Sequence, residues 1–348
     1  GEVNELNDGL TNERPNKHAC QFSSPAKGFD GPVFMANKVG EVWRLNRDLN
    51  SWELVLETGW FSRAANDRAQ VAVVPTFDAS SSNENDRTVF AAFAGVLFVS
   101  RDGGDEWVRH SQFFETAIEP YDPLITSIAF AHDFSSSGNF VLATSVLNAN
   151  NVSGDEGTLW NSSDFGDTFQ ASFQSTSSIR SLASSPVGPS GKQWFFASVL
   201  MHPAFEYLNL STGILRSSDG GATWSDYGSA QDFIRESDAS NTVAAFRFLL
   251  HDFEVSPDFA NDGRIYFGRT EGLYYSDDEG AHWNRRSFRQ VTHIRSVDST
   301  INSAGEIVAF AGSYGSGTLM HNLSSGKITL LAKGPNSYTA DLKLSPNF

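Results

Sequence analysis

An eight-residue pattern, Ser-x-Asp-x-Gly-x-x-(Trp/Phe), recurs four times in this chain and limits its fold more tightly than any other feature. Its copies are Ser100–Trp107, Ser162–Phe169, Ser217–Trp224 and Ser276–Trp283. The aspartates Asp102, Asp164, Asp219 and Asp278 follow one another at intervals of 62, 55 and 59 residues. Two decayed copies keep the rhythm. Asn46–Trp52 is one residue short, and Asn322–Gly326 has lost both the Asp and the Trp. A fixed period of this size is the mark of a repeat architecture, and it has to be found before any local reading is attempted.

A second, looser motif precedes each box. Ser256-Pro257-Asp258-Phe259-Ala260-Asn261-Asp262-Gly263 leads into the apolar run Arg264–Gly268. Related versions begin at Ser24, Val74, Ala131 and Ser185, and Ser345-Pro346-Asn347-Phe348 opens one more. Each unit thus reads as four short strands, A to D. Strand A is an apolar run such as 179–184, and strand B is β-branched or aromatic, such as 88–93. Strand C ends in the box, and strand D starts at its Trp. Short strands punctuated by turn residues, with no helical periodicity, predict an all-β chain. A four-stranded unit at this period predicts a β-propeller of six to seven blades in one domain spanning 1–348. The repeats fall at 19–59, 69–115, 125–173, 179–228, 249–288 and 291–333, with a partial seventh at 338–348. Residues 3–10 read as the strand D of a preceding unit, so the chain could be part of a longer array. A spare terminal strand offers a route to a homo-oligomer or polymer by strand addition.

The boxes resemble Asp-box (BNR) repeats, found in sialidase-like and sortilin-like propellers, and the resemblance covers nearly the whole chain. It implies the propeller fold and ligand sites on the face opposite the boxes. It does not fix an activity, because the family includes glycosidases, receptors and assembly factors. In sialidases an arginine triad, a Tyr–Glu pair and an Asp acid do the chemistry. The Phe/Tyr-Arg-Ile-Pro motif that accompanies them is absent here.

The box chemistry is that of a turn. The Asp carboxylate can accept backbone N–H bonds of its own hairpin, the Gly can take φ > 0, and the aromatic residue can fill the wedge between sheets. Asp102, Asp164, Asp219 and Asp278, with Trp107, Trp224 and Trp283, are therefore expected to be structural, and Asp219→Ala to cost about 1–3 kcal/mol as a buried turn. Antiparallel strands alternate direction, so A–B turns and boxes share one face while B–C and D–A loops share the other. The long insertions, 60–69, 109–124, 146–157, 200–213 and 226–245, all belong to the second face, where binding residues are expected.

On that face Arg68, Arg180, Arg247 and Arg295 stand at or just before strand A, with His18 in the first repeat. Converging, they would suit a carboxylate or sulfate, which a guanidinium binds through a two-pronged fork. The simpler reading is that each pairs with an acid in a neighbouring loop. Glu206 and Tyr207, Tyr121 beside Asp122, Glu236 and Asp238 are the loop acids and phenols that a glycosidase could recruit, since such enzymes need two carboxylates about 5–10 Å apart. No spacing singles out a pair, so no catalytic residue is assigned. His251-Asp252 and His132-Asp133 look alike but fall at different points of the repeat, and are read as structural. Asp258, Asn261 and Asp262 could hold Ca²⁺ but read more simply as a polar turn.

Composition narrows the class. The chain has 348 residues, a formal net charge of −16 and a single cysteine, Cys20. The acidic balance argues against nucleic acid or an anionic membrane as partner. One thiol makes no intramolecular disulfide, and no Cys/His cluster or nucleotide motif is present, so no metal and no cofactor are expected. No apolar run is long enough to be a transmembrane helix, and no signal peptide is visible. Sequons at Asn151, Asn161, Asn209 and Asn322 are compatible with a secreted glycoprotein. The expectation is a non-enzymatic extracellular or cell-surface propeller that binds a protein or glycan or serves in an assembly. The alternative is a sialidase-like glycoside hydrolase using loop-face carboxylates.

Overall fold

The computed structural model describes residues 21–23, 32–37, 39–46, 51–59, 69–93, 95–112, 124–146, 156–175, 177–199, 213–226, 250–269, 272–286, 294–313 and 317–332. They form six four-stranded antiparallel sheets, each a simple meander in chain order. Sheet 1 holds β1 (Gln21–Ser23), β2 (Phe34–Ala36), β3 (Glu41–Asn46) and β4 (Ser51–Glu57). Sheet 2 holds β5 (Gln70–Val73), β6 (Val89–Phe93), β7 (Val96–Ser100) and β8 (Val108–Arg109). Sheet 3 holds β9 (Leu124–Phe130), β10 (Phe140–Val146), β11 (Glu156–Ser162) and β12 (Gln170–Ser175). Sheet 4 holds β13 (Ile179–Ser184), β14 (Phe195–Val199), β15 (Ile214–Ser217) and β16 (Ser225–Asp226). Sheet 5 holds β17 (Leu250–Val255), β18 (Ile265–Arg269), β19 (Gly272–Ser276) and β20 (Asn284–Arg286). Sheet 6 holds β21 (Ile294–Ile301), β22 (Ile307–Ser313), β23 (Gly317–Asn322) and β24 (Ile328–Ala332). Strand D begins one residue after the box aromatic in sheets 2 to 5, not at it. The chain divides into two compact units, 1–125 with 134–136, and 126–133 with 137–348.

In the first unit the core joins sheets 1 and 2 through Phe34, Val42, Val71, Val89, Ala91 and Phe93, with Trp107 packed on its edge. The second unit has three such layers, and strand B supplies both of its neighbours at once. On β14, Phe195 and Ala197 enter the layer shared with sheet 3, while Phe196 enters the layer shared with sheet 5. On β18, Ile265 and Phe267 face sheet 4, while Tyr266 faces sheet 6. This is why β14 and β18 carry apolar residues on both faces rather than on one: β14 is buried along its whole length. A strand covered on both sides has no solvent face to keep polar.

The four boxes fold alike, and their keystone is the first Ser. Ser217 is buried; its hydroxyl donates to Asp219 Oδ1 at 2.7 Å and accepts the Gly221 N–H at 3.0 Å. Asp219 Oδ1 then accepts the Thr223 N–H at 3.0 Å and Oδ2 accepts the Thr223 hydroxyl at 2.5 Å. The same pair of serine bonds recurs at Ser100, Ser162 and Ser276. In the last box His282 takes the place of the threonine, its ring Nδ1 2.6 Å from Asp278 Oδ2. The carboxylates themselves sit at the surface: Asp219 and Asp278 are exposed, and Asp102 and Asp164 are half-buried. The expectation that each Asp is a buried turn group is thus corrected; the buried polar group is the serine.

Two consecutive left-handed residues follow each Asp, Gly220 and Gly221 in the box of sheet 4. Phe165 and Glu279 hold the first of these positions without being glycine, at φ of 63° and 57°. The Glu279 side chain is buried and accepts from Trp194 Nε1 and the Ser190 N–H, both at 2.8 Å. Its backbone carbonyl accepts from Arg216, whose guanidinium lies 3.7 Å over the Trp194 ring. Burial pushes the Glu279 carboxyl up, but these hydrogen bonds and the Arg216 charge outweigh it and hold the group below its ordinary value. Arg44 makes the same reach in the first unit, from β3 to the Gly103 carbonyl at 3.0 Å. A strand-C cation thus clasps the box of the following sheet.

Candidate functional site

The box end of each sheet also holds the A–B turn. Gly103, Phe165 and Glu279 donate their N–H groups to the carbonyls of Arg87, Gly138 and Gly263, the latter three in the A–B turns of the same sheets. The opposite end, where strand A begins, is the binding face expected from loop length. The long insertions of that face lie almost wholly outside the described residues.

Three consecutive inner strands of the second unit start with the same irregularity. In β13 the register jumps from Ile179, opposite Val199, to Ser181, opposite Ser198, so Arg180 is an extra residue. In β17 it jumps from Leu250 to Asp252 across His251, and in β21 from Ile294 to Ser296 across Arg295. Each is a β-bulge, which bends its strand and re-aims one side chain, and bulges cluster at rims and beside active sites. The three bulge positions carry Arg, His and Arg. His251 was read from the sequence as structural; the register puts it in the row. Its signal is positional: it is the second residue of an A strand, as are Arg180 and Arg295.

Directly after the bulges runs a polar seam that ties inner strands together. Ser127 Oγ on β9 accepts the Leu182 N–H of β13 at 3.0 Å, and Thr126 donates to the Ile179 carbonyl at 2.7 Å. Asp252 on β17 accepts from the Ser181 hydroxyl of β13 at 3.4 Å and from the Val297 N–H of β21 at 3.2 Å. Glu254 accepts from the Ser299 hydroxyl at 3.2 Å. Inner strands are sheet edges whose backbone groups need partners, and short polar side chains supply them here. Asp252 and Glu254 are thereby engaged in holding strands.

Of the sequence-predicted site residues, Arg180 and Arg295 occupy bulges of this row. Arg68, Arg247, Tyr121, Glu206 and Tyr207 lie outside the described residues, as do His18, Cys20, Asp122, Glu236 and Asp238. Asn151 and Asn209 are likewise outside them. Asn161 lies in β11, paired on both sides, with its Cβ near Gly221 of the next sheet. Asn322 ends β23 and donates from its amide to Glu306 at 2.8 Å. At the Asp258 cluster, Asp258 accepts from the Asn261 amide, and Asp262 accepts from the Ser256 hydroxyl and the Arg264 N–H, a polar turn around the helical residues Phe259–Asp262. Among the described residues no group of three or more His, Cys, Asp or Glu side chains is arranged to hold a metal ion. Among them, too, no helix is long and apolar enough to cross a membrane.

No protein-family model matches this sequence, and no curated protein matches it. Solved structures do. An ancestral GH74 enzyme superposes with a TM-score of 0.56 at 13% identity, over 91% of this chain and 38% of that one. Sqt1 of Saccharomyces cerevisiae superposes at 0.54 and 14% identity, over 92% of this chain and 75% of the other. YCF48 bound to D1 peptide aligns at 0.48 and 14% identity, over 88% and 78%. The chain spans well under half the length of the GH74 enzyme. At these identities the first two likenesses speak for fold alone, and with the six meander sheets they make this chain an all-β propeller of four-stranded blades.

Proposed function

We propose that the chain is an Asp-box propeller that binds an anionic partner, an acidic glycan or an acidic protein surface, at the rim where its inner strands begin. The observation that carries this reading is the row of bulges at Arg180, His251 and Arg295 in three successive sheets. A bulge costs ladder hydrogen bonds, and placing it three times at one level, each time at an arginine or a histidine, fits recognition of carboxylate or sulfate better than sheet building. The overall charge of −16 sets that row apart from its surroundings and disfavours nucleic acid. The sequons support an extracellular or cell-surface setting.

The test is an array of sialylated and sulfated oligosaccharides, probed with the wild-type chain and with an Arg180→Ala, Arg295→Ala double variant. Binding by the wild type, reduced at least about tenfold in the variant at an unchanged unfolding midpoint, is expected, as for lost charge-assisted hydrogen bonds. Equal binding by both would remove the row as the site. A fluorogenic glycoside panel run alongside separates binding from catalysis, and hydrolysis would replace this reading with the glycosidase one.

A further inference from the structure

The outer strand of a sheet is an edge that another chain can extend, and proteins blunt such edges with charge. Among the described sheets, β4 carries Glu53 and Glu57, β8 carries Arg109, β16 carries Asp226, and β20 carries Arg285 and Arg286. The outer strand β12 is uncharged but holds Gln170 and Gln174. β24 is the exception: Ile328-Thr329-Leu330-Leu331-Ala332 has no charged or amide side chain. Ile328 is 37% exposed, Leu330 38% and Leu331 50%. The register says which backbone groups lie open. The Asn322 N–H donates to the Lys327 carbonyl, and Ile328, Thr329 and Leu330 then stand opposite His321, Met320 and Leu319. Bonded and non-bonded pairs alternate in an antiparallel ladder, so Ile328 and Leu330 turn their N–H and C=O groups away from β23. The irregularity of β24 comes after them, at Leu331.

We infer that the outer edge of β24 is a docking site for an extended segment of a partner protein, which adds to sheet 6 as an antiparallel strand. Side chains and charge say what that segment carries. Paired residues share a face, and Leu319 lies in the core layer between sheets 5 and 6. Ile328 and Leu330 therefore continue that layer outward and call for apolar residues opposite them. Lys327 is exposed and stands on the other face. Residues 307–332 contain no Asp or Glu, in a chain of net charge −16, so a carboxylate opposite Lys327 meets no competing acid from these strands. Read from its own N-terminus, the partner segment is apolar, any residue, apolar, acidic. A second copy pairing edge to edge is the poorer occupant. Its β24 has no acid to set against Lys327, and two chains of this net charge repel.

The experiment is residue-resolved amide hydrogen exchange on the full-length chain, with and without a millimolar hexapeptide, Ser-Val-Thr-Val-Glu-Ser or its counterpart Ser-Val-Thr-Val-Lys-Ser. The glutamate peptide slows the Ile328 and Leu330 amides at least about fivefold and leaves Thr329, already bonded to β23, unchanged. The lysine peptide binds about two- to fivefold more weakly, as for one exposed ion pair. Leu330→Lys puts a charge on the edge, and Leu330→Pro removes an N–H that no ladder bond uses. Each abolishes the response of Ile328 at an unchanged unfolding midpoint. The inference is overturned if neither amide responds to the glutamate peptide, if either folded variant responds as the wild type does, or if the lysine peptide binds equally well. Ile328 and Leu330 amides that slow as the peptide-free chain is concentrated overturn it in favour of a second copy. Amides that are slow at every concentration and blind to the peptide overturn it in favour of a segment of the chain itself.

Discussion

Replacing Gly221 by alanine tests the box geometry where two costs meet. Gly221 has φ of +86°, and a Cβ built there would stand 2.4 Å from Val141 Cγ2, a buried side chain of the preceding sheet. The left-handed backbone costs an L-residue roughly 1–2 kcal/mol. The overlap with Val141 adds about 1–3 kcal/mol, as overpacking does in a close-packed interior. Gly221→Ala is therefore expected to destabilise by about 2–5 kcal/mol. Gly305 separates the two terms, since its φ of +77° is similar but nothing lies within 4 Å of a Cβ placed there. Gly305→Ala should cost only the backbone share, about 1–2 kcal/mol. The assay is equilibrium urea unfolding followed by tryptophan fluorescence, with the slope checked for constancy. Val141→Ala alone should cost about 2 kcal/mol for the lost burial. Combined with Gly221→Ala it should cost about 1–3 kcal/mol less than the two single costs added, because the overlap is gone. Equal losses for Gly221→Ala and Gly305→Ala, or strict additivity with Val141→Ala, would refute the claim that the box glycine is there to let sheet 3 approach.

Within one box, Ser217→Ala should destabilise more than Asp219→Ala, at about 1–3 against about 1 kcal/mol. The first strands the buried Gly221 N–H, whereas water can replace the exposed carboxylate; urea midpoints decide, and the reverse order would restore the Asp as keystone. Acid should weaken the fold. Burial pushes Asp102, Asp164, Asp219 and Asp278 up, but hydrogen bonds outweigh it: the Glu106 N–H at Asp102, the Thr168 and Thr223 hydroxyls at Asp164 and Asp219, and the His282 ring at Asp278. Carboxyls depressed in the folded state stabilise it fully above the ordinary Asp range near pH 4. That stability is lost as pH falls below this range through the depressed values. A urea midpoint flat from pH 6 to pH 2 would contradict this. Arg216→Lys should cost about 1–2 kcal/mol although the charge is kept, because an ammonium cannot both lie flat on the Trp194 ring and donate to the Glu279 carbonyl; thermal unfolding that matches wild type would show the clasp to be idle.

The repeat made the architecture legible because one motif marks the same turn in each sheet. The described sheets lie within the repeat spans read from the boxes, except that sheet 3, whose strands run from Leu124 to Ser175, overruns the span 125–173 at both ends. The box serine was not recognised as the buried member, since a serine in a turn looks like any surface serine until its neighbour's N–H is seen to point at it. The bulges were invisible for a related reason. A one-residue slip exists only in pairing, and Arg180 or His251 reads as an ordinary strand residue in a list. The sequence singled out the two arginines by chemical type and read the histidine at the same register as structural, beside Asp252.

Strand B has a consequence for how damage spreads in this molecule. Phe195 and Phe196 are adjacent in sequence, yet a lesion at one reports to sheet 3 and at the other to sheet 5. Neighbouring codons therefore carry addresses to opposite sides. The stability of the second unit becomes a chain of nearest-neighbour couplings in which each repeat is a shared tenant of two contracts. Excising one repeat from its interior would free two unlike faces that were never selected to meet. The number of sheets in that unit can thus change at its ends far more readily than in its middle.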